Sequence, residues 1–474
     1  MMSSSSEATH LPALPKSVLD TFGAQIQQAI SGDMLAMQEE TIAGDEKRDL
    51  VFKHLRAVFK NTPKIQFAVR TGDAGSIQPI IEESKAVIDT ILEAICGDTS
   101  QREGRLSGAI EKFTEIRMMQ HFFATGKLAS FSVLQPCNDD EYIGAALGFA
   151  QELARYVVGR ASEGDERSIG LCQALIVQIN AKMLEFDFRN GPLRRKYDGL
   201  KYALKNVEDV LYELSLLHSE EEVAEGNAAK RARIEGTEGS NGGNGGVSSE
   251  QQQSSAPAFT LLDAPELDDI RARMDAYDKL REEVIKQSRD IQKLSKQAIF
   301  SVHRGALGES KQKLDQASKL AASILAMIAP HPGLRAGAFS NSLEEWAEGA
   351  LTLEWVQGKR IMRRADMPFV STSEYVGALS DFTGEIGRLA VAAASKRDIE
   401  AVRGVLQADV AIFSGLMQVN VSGKYGKKVD AVAQNLRKVE DVVYELSMLK
   451  RGARGVGARE QAPVGGGGVE GDEV

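Results

Sequence analysis

Four acidic residues in the second half of the chain have the spacing of a catalytic cluster. Glu345 and Glu348 stand three apart, so on a helix both carboxylates leave one face, and Asp381 and Glu385, four apart, do the same. If those two faces meet across a bundle, four carboxyl groups share a small space. Crowded carboxylates in a low dielectric repel one another and take up protons unless a cation neutralises them. Oxygen donors without histidine or cysteine favour Mg2+ or Mn2+. Such an ion generates a hydroxide nucleophile and offsets charge on a phosphodiester. The Glu-x-x-His spacing of a ferritin-like di-iron site is absent from these two segments.

The elements that must position these acids occur twice. VEDVLYELS (Val207 to Ser215) returns as VEDVVYELS (Val439 to Ser447), and DDEYIGAALGFAQELAR (Asp139 to Arg155) as TSEYVGALSDFTGEIGR (Thr372 to Arg388). IEKFTEIRMMQ (Ile110 to Gln120) lies over LEEWAEGALTL (Leu343 to Leu353) at the same spacing. In this overlay Glu345, Glu348, Asp381 and Glu385 fall opposite Lys112, Glu115, Gly148 and Glu152. A structural acid should survive in both copies, and two of these four do not. The pattern predicts chemistry in the second copy and holding or binding in the first.

Apolar residues recur at three- and four-residue intervals through nearly every segment. In the second copy this predicts helices over Leu267 to Arg304, Glu309 to Ile328 and Ser340 to Met362, and a fourth opening near Ser371 with Ser373 as its cap. Pro330 and Pro332 close the second of these. The fold class is therefore all-α, two tandem antiparallel helical bundles over residues 15–217 and 261–452. Between them, residues 218–260 contain the Gly-, Ser- and Gln-rich run Glu235 to Ala258, which predicts a flexible, disordered linker, and 453–474 predicts a disordered tail. The closing helices carry apolar faces (Val207, Val210, Leu211, Leu214; Val439, Val442, Val443, Leu446) suited to packing on another helix.

Composition narrows the partners. The chain has 474 residues, 43% hydrophobic and 26% charged, enough for two ordinary globular cores. Its three cysteines, Cys96, Cys137 and Cys172, form no CxxC pair, which argues against zinc and a disulfide framework and for a reducing compartment. No apolar stretch reaches membrane-spanning length and the first residues lack a signal-peptide pattern, so the expectation is cytoplasm and nucleus with no membrane. A formal charge of −10 requires any nucleic acid to meet a local basic surface.

GPLRRKYDGLKYALKNVEDVLYELS (Gly191 to Ser215) and DDEYIGAALGFAQELAR resemble translin. YDKLREEVIKQSRDIQKLSKQAIFSVHR (Tyr277 to Arg304) and YVGALSDFTGEIGR resemble the factor-X branch of the same translin family. The resemblance covers all but the termini and the linker, and here both subunit types lie in one chain. It implies a helical-bundle assembly that binds RNA and single-stranded DNA, with a metal-dependent endoribonuclease site. Acids matching Glu345, Glu348 and Asp381 are then catalytic, Glu348 and Glu385 hold Mg2+ (or Mn2+), and the first copy supports assembly and RNA capture. It further implies self-association into a higher oligomer, most simply four chains to a hollow shell. The alternative is a non-catalytic nucleic-acid-binding scaffold of the same family.

Each residue also has a plainer role. Glu152 with Arg155, and Glu385 with Arg388, sit at (i, i+3) and can pair on a helix surface. Two basic runs are candidate RNA contacts: Arg194, Arg195 and Lys196 before the last helix of the first copy, and Lys359, Arg360, Arg363 and Arg364 ending the helix that carries Glu345. Charged runs near helix ends are more often solvated faces that complement the dipole. The helix carrying Arg117 has only IRMMQHFF where translin has a basic, aromatic stretch. KRAR (Lys230 to Arg233) is a candidate nuclear-import signal, and Trp346 and Phe113 are expected in the core.

Overall fold

Every regular element in the computed structural model, which describes residues 16–71, 74–95, 102, 104–234, 260–419 and 424–459, is a helix; there is no strand among the described residues. Twelve α-helices follow in order among them. They are α1 (Lys16–Thr71), α2 (Ala74–Ala94), α3 (Arg105–Thr125), α4 (Asp139–Ala161), α5 (Glu166–Met183) and α6 (Pro192–Ile234), then α7 (Ala264–His303), α8 (Leu307–Met327), α9 (Ala338–Gly358), α10 (Thr372–Ser395), α11 (Ile399–Val419) and α12 (Lys424–Arg459). Cys96, the Gly- and Ser-rich run from 235 to 259 and the residues beyond 459 lie outside the described residues.

The chain writes the same local grammar twice. α3 and α9 each start after a glycine that only glycine adopts comfortably, Gly104 and Gly337, both with φ near +80°. α4 and α10 each open with a full capping box: Asn138 accepts from the Glu141 amide, Ser371 from the Glu374 amide, and each glutamate answers the cap's own N–H. Ser371, not Ser373, is therefore the cap of α10. A Ser at the position three before a glutamate can form the reciprocal pair, and Ser373, one before it, cannot. The same two glutamates accept from Arg102 (2.6 Å) and Arg335 (2.5 Å). Tyr142 and Tyr375 donate to the carbonyls of Ala129 and Met362 at 2.8 and 2.7 Å. Buried polar groups placed this consistently fix how the loop before each central helix folds back on it.

Two compact units result, one of residues 47–280 and one of residues 1–46 with 281–474. In the first, α4 lies centrally against α3, α5 and α6; in the second, α10 lies against α9, α11 and α12, and α9 also packs on α8. α1 and α7 are each divided between units, because their two ends serve different cores. Met34 and Met37 are buried with Val376, Leu379 and Phe382, and Asp33 accepts from the Arg364 amide. Leu261, Leu262, Leu267 and Ile270 are buried with Leu134 and Tyr142. The units thus begin elsewhere than at the bounds read from composition.

Two further expectations change. α6 continues to Ile234 and α12 to Arg459, past the ends read at 217 and 452. The extra turns of α6, SEEEVAEGNAAKRARI, are mostly strong helix formers, so local propensity outlasts the apolar pattern that packing needs. The apolar faces of α6 and α12 are occupied within their own bundles: Val207, Val439 and Leu446 are buried, with Val210, Leu211, Leu214, Val442 and Val443 packed beside them. Among the large apolar side chains that these helices leave exposed are Tyr202, Tyr212 and Leu216, and Tyr444, Met448 and Leu449. No helix among the described residues is long and apolar enough to cross a membrane.

Candidate active site

α9 and α10 bring the four acids to one region of the second unit. Glu348 on the inner face of α9 and Glu385 on α10 are the most enclosed, each 8% exposed. Burial pushes the Glu348 carboxyl up to about 8, and the charges of Asp381, Glu345 and Glu385 push in the same direction, with only Lys428 opposing. The convergence expected from spacing is therefore present, and Glu348 is its focus.

Each neighbouring acid is already engaged. Glu345 accepts from Gln292 on α7 at 3.3 Å and lies 3.6 Å from Lys296. Asp381, 45% exposed, accepts from Lys428 on α12 at 2.7 Å. Glu385 accepts from Arg388 at 2.8 Å, the expected (i, i+3) pair, and lies 2.6 Å from Nε2 of His303 at the end of α7. Lys428 also binds Glu344, whose carboxyl packs against Gly377 so closely that a Cβ there would lie within 2.6 Å of it. Two hydrogen-bonded carboxylates hold the Lys428 ammonium charged despite its burial, which alone would lower it.

The first unit shows what the same scaffold does without the extra acids. Glu115, the counterpart of Glu348, is paired with Lys112 at 2.5 Å, and Gly148 stands where the second unit has Asp381. A Cβ on Gly148 would meet the Glu115 carboxyl at 2.2 Å, so the glutamate has folded into that space. Burial raises Glu115, Lys112 opposes the rise and Glu152 adds to it, but the positions of Glu345 and Asp381 are here a lysine and a glycine. Lys196, the counterpart of Lys428, pairs with Glu111, the counterpart of Glu344. Lys196 is therefore a structural cation, and burial draws it down to about 8. Glu152 pairs with Arg155 at 2.5 Å, so the shared acid of that position keeps its surface pair in both units.

The remaining predicted residues fall away from the acids. α9 ends at Gly358, so Lys359, Arg360, Arg363 and Arg364 follow the helix rather than ending it. Lys359 is its left-handed cap and sits over the Trp355 ring at 5.5 Å. Arg360 pairs with Glu354, and Arg363 with Asp366 through two bonds of 3.0 and 3.1 Å. Fourteen residues of helix separate Lys359 from Glu345, about 21 Å at 1.5 Å per residue. This run and the acids cannot grip the same phosphate. Arg194 pairs with Asp198 at 3.2 Å and lies over Tyr197. Arg117 donates to the carbonyls of Val133 and Gln135, a structural use. Phe113 is buried, and Trp346 packs on Phe369 and donates to the Leu314 carbonyl. The side chains of Lys230 to Arg233 lie outside the described residues.

Sequence reasoning missed Lys428, Glu344 and His303. The lysine and Glu344 had a signal, since Lys196 and Glu111 repeat them in the first copy; His303 had none, because its contact with Glu385 joins helices 82 residues apart. As to a metal, the donors are all oxygen and the buried, crowded Glu348 fits a hard cation chemically. Among the described residues, however, no three acidic, histidine or cysteine groups are gathered as a metal set, and basic side chains provide the neutralisation.

A scan for known families matches the Translin family over residues 46–217 and again over 279–450. Translin of Gallus gallus is 30% identical over 92 residues, 19% of this chain and 40% of that protein; translin of Homo sapiens is 33% identical over 85 residues, 18% and 37%. The match thus spans 37–40% of the length of these curated relatives. Among solved structures, apo-NeC3PO is similar at 20% identity with a TM-score of 0.36, covering 38% of this chain and 97% of that one. An AfC3PO–duplex RNA complex is similar at 18% identity with a TM-score of 0.36, covering 39% and 97%.

Proposed function

The chain belongs to the translin family, and from that premise we propose that its second unit is a metal-dependent endoribonuclease acting on single-stranded or loosely structured RNA. The observation that carries the reading is the contrast between Glu348 and Glu115. The same buried carboxyl is neutralised by Lys112 in one copy and crowded by three further acids in the other. Crowding two extra acids, Glu345 and Asp381, against a buried carboxyl destabilises a fold, so their presence in only one copy points to a functional use.

Glu348 and Glu385 would hold a Mg2+ or Mn2+ ion with Glu345 and Asp381 beside them, and the ion would supply an activated water and offset phosphate charge. In hydrolysis a water oxygen bonds to phosphorus, the bond from phosphorus to the leaving ribose oxygen breaks, and that oxygen gains a proton. Asp381 is the most open of the four acids and is paired with Lys428, so it would orient the attacking water. His303 and Arg388 hold the Glu385 carboxylate from two sides and fix its direction. The arrangement uses positioned charges rather than a covalent intermediate.

The test is single-turnover cleavage of a labelled oligoribonucleotide by Glu345→Ala and Asp381→Ala. Both are expected to lose cleavage by at least about a hundredfold, the usual scale for a positioned acid or base, with helicity unchanged. Wild-type rates in both variants, after removal of contaminating nucleases, overturn the assignment.

A second reading, a scaffold that binds nucleic acid without cutting it, is favoured by the ion pairs that already satisfy the acids. Titration with Mn2+ or Mg2+ separates the two. The catalytic reading expects a rise in melting temperature with ion concentration, because only the folded state gathers the acids. RNA retention with neither stabilisation nor cleavage supports the scaffold.

A further inference from the structure

Resting on the reading of the second unit as a nuclease, we infer that Lys428 is a positioning residue of its acid site, a tethered cation that aims Asp381 and offsets the negative charge that attracts a divalent ion. The frame shared by the two copies shows what this lysine does for the fold alone. In the first unit Lys196, near the start of α6, pairs with Glu111 of α3. Glu111 lies against Gly144 of α4 so closely that a Cβ there would collide with its carboxyl. In the second unit Lys428, near the start of α12, pairs with Glu344 of α9, and Glu344 lies in the same way against Gly377 of α10. Lysine, glutamate and glycine form one structural tier that both copies keep.

The copies part at the next tier, one helical turn along. Glu344 and Glu348 are four apart on α9, and Gly377 and Asp381 four apart on α10, so each pair shares a face. In the first unit this second tier repeats the design of the first: Glu115 folds onto Gly148 and is neutralised by Lys112 of its own helix. In the second unit the glycine has become Asp381, and the lysine has become Glu345. Lys428 now serves both tiers. Besides Glu344 it donates to Asp381 at 2.7 Å, and its charge opposes those of Asp381, Glu345 and Glu385 on Glu348. Burial alone would lower the Lys428 ammonium, but its hydrogen bonds to Asp381 and Glu344 outweigh that and keep it charged.

This placement has two consequences of opposite sign. An ammonium bonded to Oδ2 of Asp381 restricts a side chain that is otherwise 45% exposed, and a fixed carboxylate favours reaction. The same positive charge repels a divalent ion drawn to the acids and so weakens its binding. Orientation and metal affinity therefore trade against each other through one side chain. A lysine that only tied α12 to α9, as Lys196 ties α6 to α3, would affect neither.

The experiment follows the full chain by two readouts: single-turnover cleavage of a labelled oligoribonucleotide at saturating Mn2+, and the rise of melting temperature with Mn2+ concentration. Lys428→Gln is expected to slow cleavage about a hundredfold, the cost of a misplaced catalytic group. It is also expected to bind Mn2+ about three- to tenfold more tightly, the effect of one nearby, partly screened charge. General loss of structure would weaken both. Lys196→Gln, which breaks the matching pair of the first unit, measures what the structural tier is worth in melting temperature. Asp381→Asn combined with Lys428→Gln removes one charge of each sign, so its Mn2+ affinity is expected to match the wild type. That double variant decides the matter if Lys428→Gln alone does not fold. Wild-type cleavage by Lys428→Gln, or Mn2+ binding that is unchanged or weaker, overturns the role of Lys428 and leaves the nuclease reading standing. So does a double variant that binds Mn2+ no better than Asp381→Asn alone. A wild type that neither cleaves RNA nor binds Mn2+ overturns both.

Discussion

Glu348→Gln is expected to abolish RNA cleavage and at the same time to stabilise the protein at alkaline pH. Few substitutions should do both. The loss follows from removing the carboxylate on which the other acids converge, and about 10²- to 10⁴-fold is the range for such groups. The gain follows from proton linkage. The Glu348 carboxyl is raised from 4.5 to about 8 in the folded protein by burial, then by Asp381, Glu345 and Glu385. Between those values the folded state keeps a proton that the unfolded chain has released, so stability falls as pH rises through the window, and the loss is complete above about 8. Glutamine removes the ionisation and flattens that slope. The gain should be on the order of 3 kcal/mol at pH 8.5, reduced by the cost of a buried amide that lacks some hydrogen bonds. Urea denaturation from pH 5 to 9 beside single-turnover cleavage reads both effects. A variant that cuts RNA at the wild-type rate, or whose stability keeps the wild-type pH slope, contradicts the role given to Glu348.

Asp409→Leu is the largest purely structural change expected. Asp409 on α11 is fully buried, neither carboxyl oxygen has a hydrogen-bond partner among the described residues, and burial alone raises it from 3.8 to about 8. The repeat places Ile176, a buried apolar residue of α5, at the matching position of the first unit. As with Glu348, the raised value means stability is highest at low pH and declines as pH climbs from about 4 to 8. At pH 7 the penalty is about 4 kcal/mol as an upper bound, at 1.4 kcal/mol per unit. Leucine is expected to recover about 2–4 kcal/mol there, less whatever its extra volume costs in packing. Cleavage should not change, because Asp409 is not among the charges acting on Glu348. A destabilised variant would show that Asp409 has a partner the present arrangement does not reveal.

The two groups lie in the same unit, so their slopes add if they do not interact. Wild-type protein should therefore lose stability more steeply in its second unit than in its first as pH rises toward 8, because in the first unit Lys112 opposes the burial that raises Glu115.

Much of this was legible in the residues. The doubled VEDV helix, the three- and four-residue apolar spacing and the absence of strand patterns decided an all-helical chain with two bundles, because period and repeat are properties of the chain alone. The same periodicity put Glu345 with Glu348, and Asp381 with Glu385, on shared faces. The repeat singled out Lys112 and Gly148 as the places where the first copy departs. Tertiary packing decided the rest. That the two acid faces meet, and that Glu348 rather than Glu345 is the enclosed member, depends on how α9 sits against α10. That His303 reaches Glu385, and Lys428 reaches Asp381, depends on helices 82 and 47 residues away. No spacing rule reaches across such separations. The division of α1 and α7 between cores was likewise invisible, because an amphipathic stripe states that a face must be covered without naming what covers it. Local sequence sets which side chains share a face; only the packed structure sets which faces meet, and with them the charge and solvent exposure that make a carboxylate chemical.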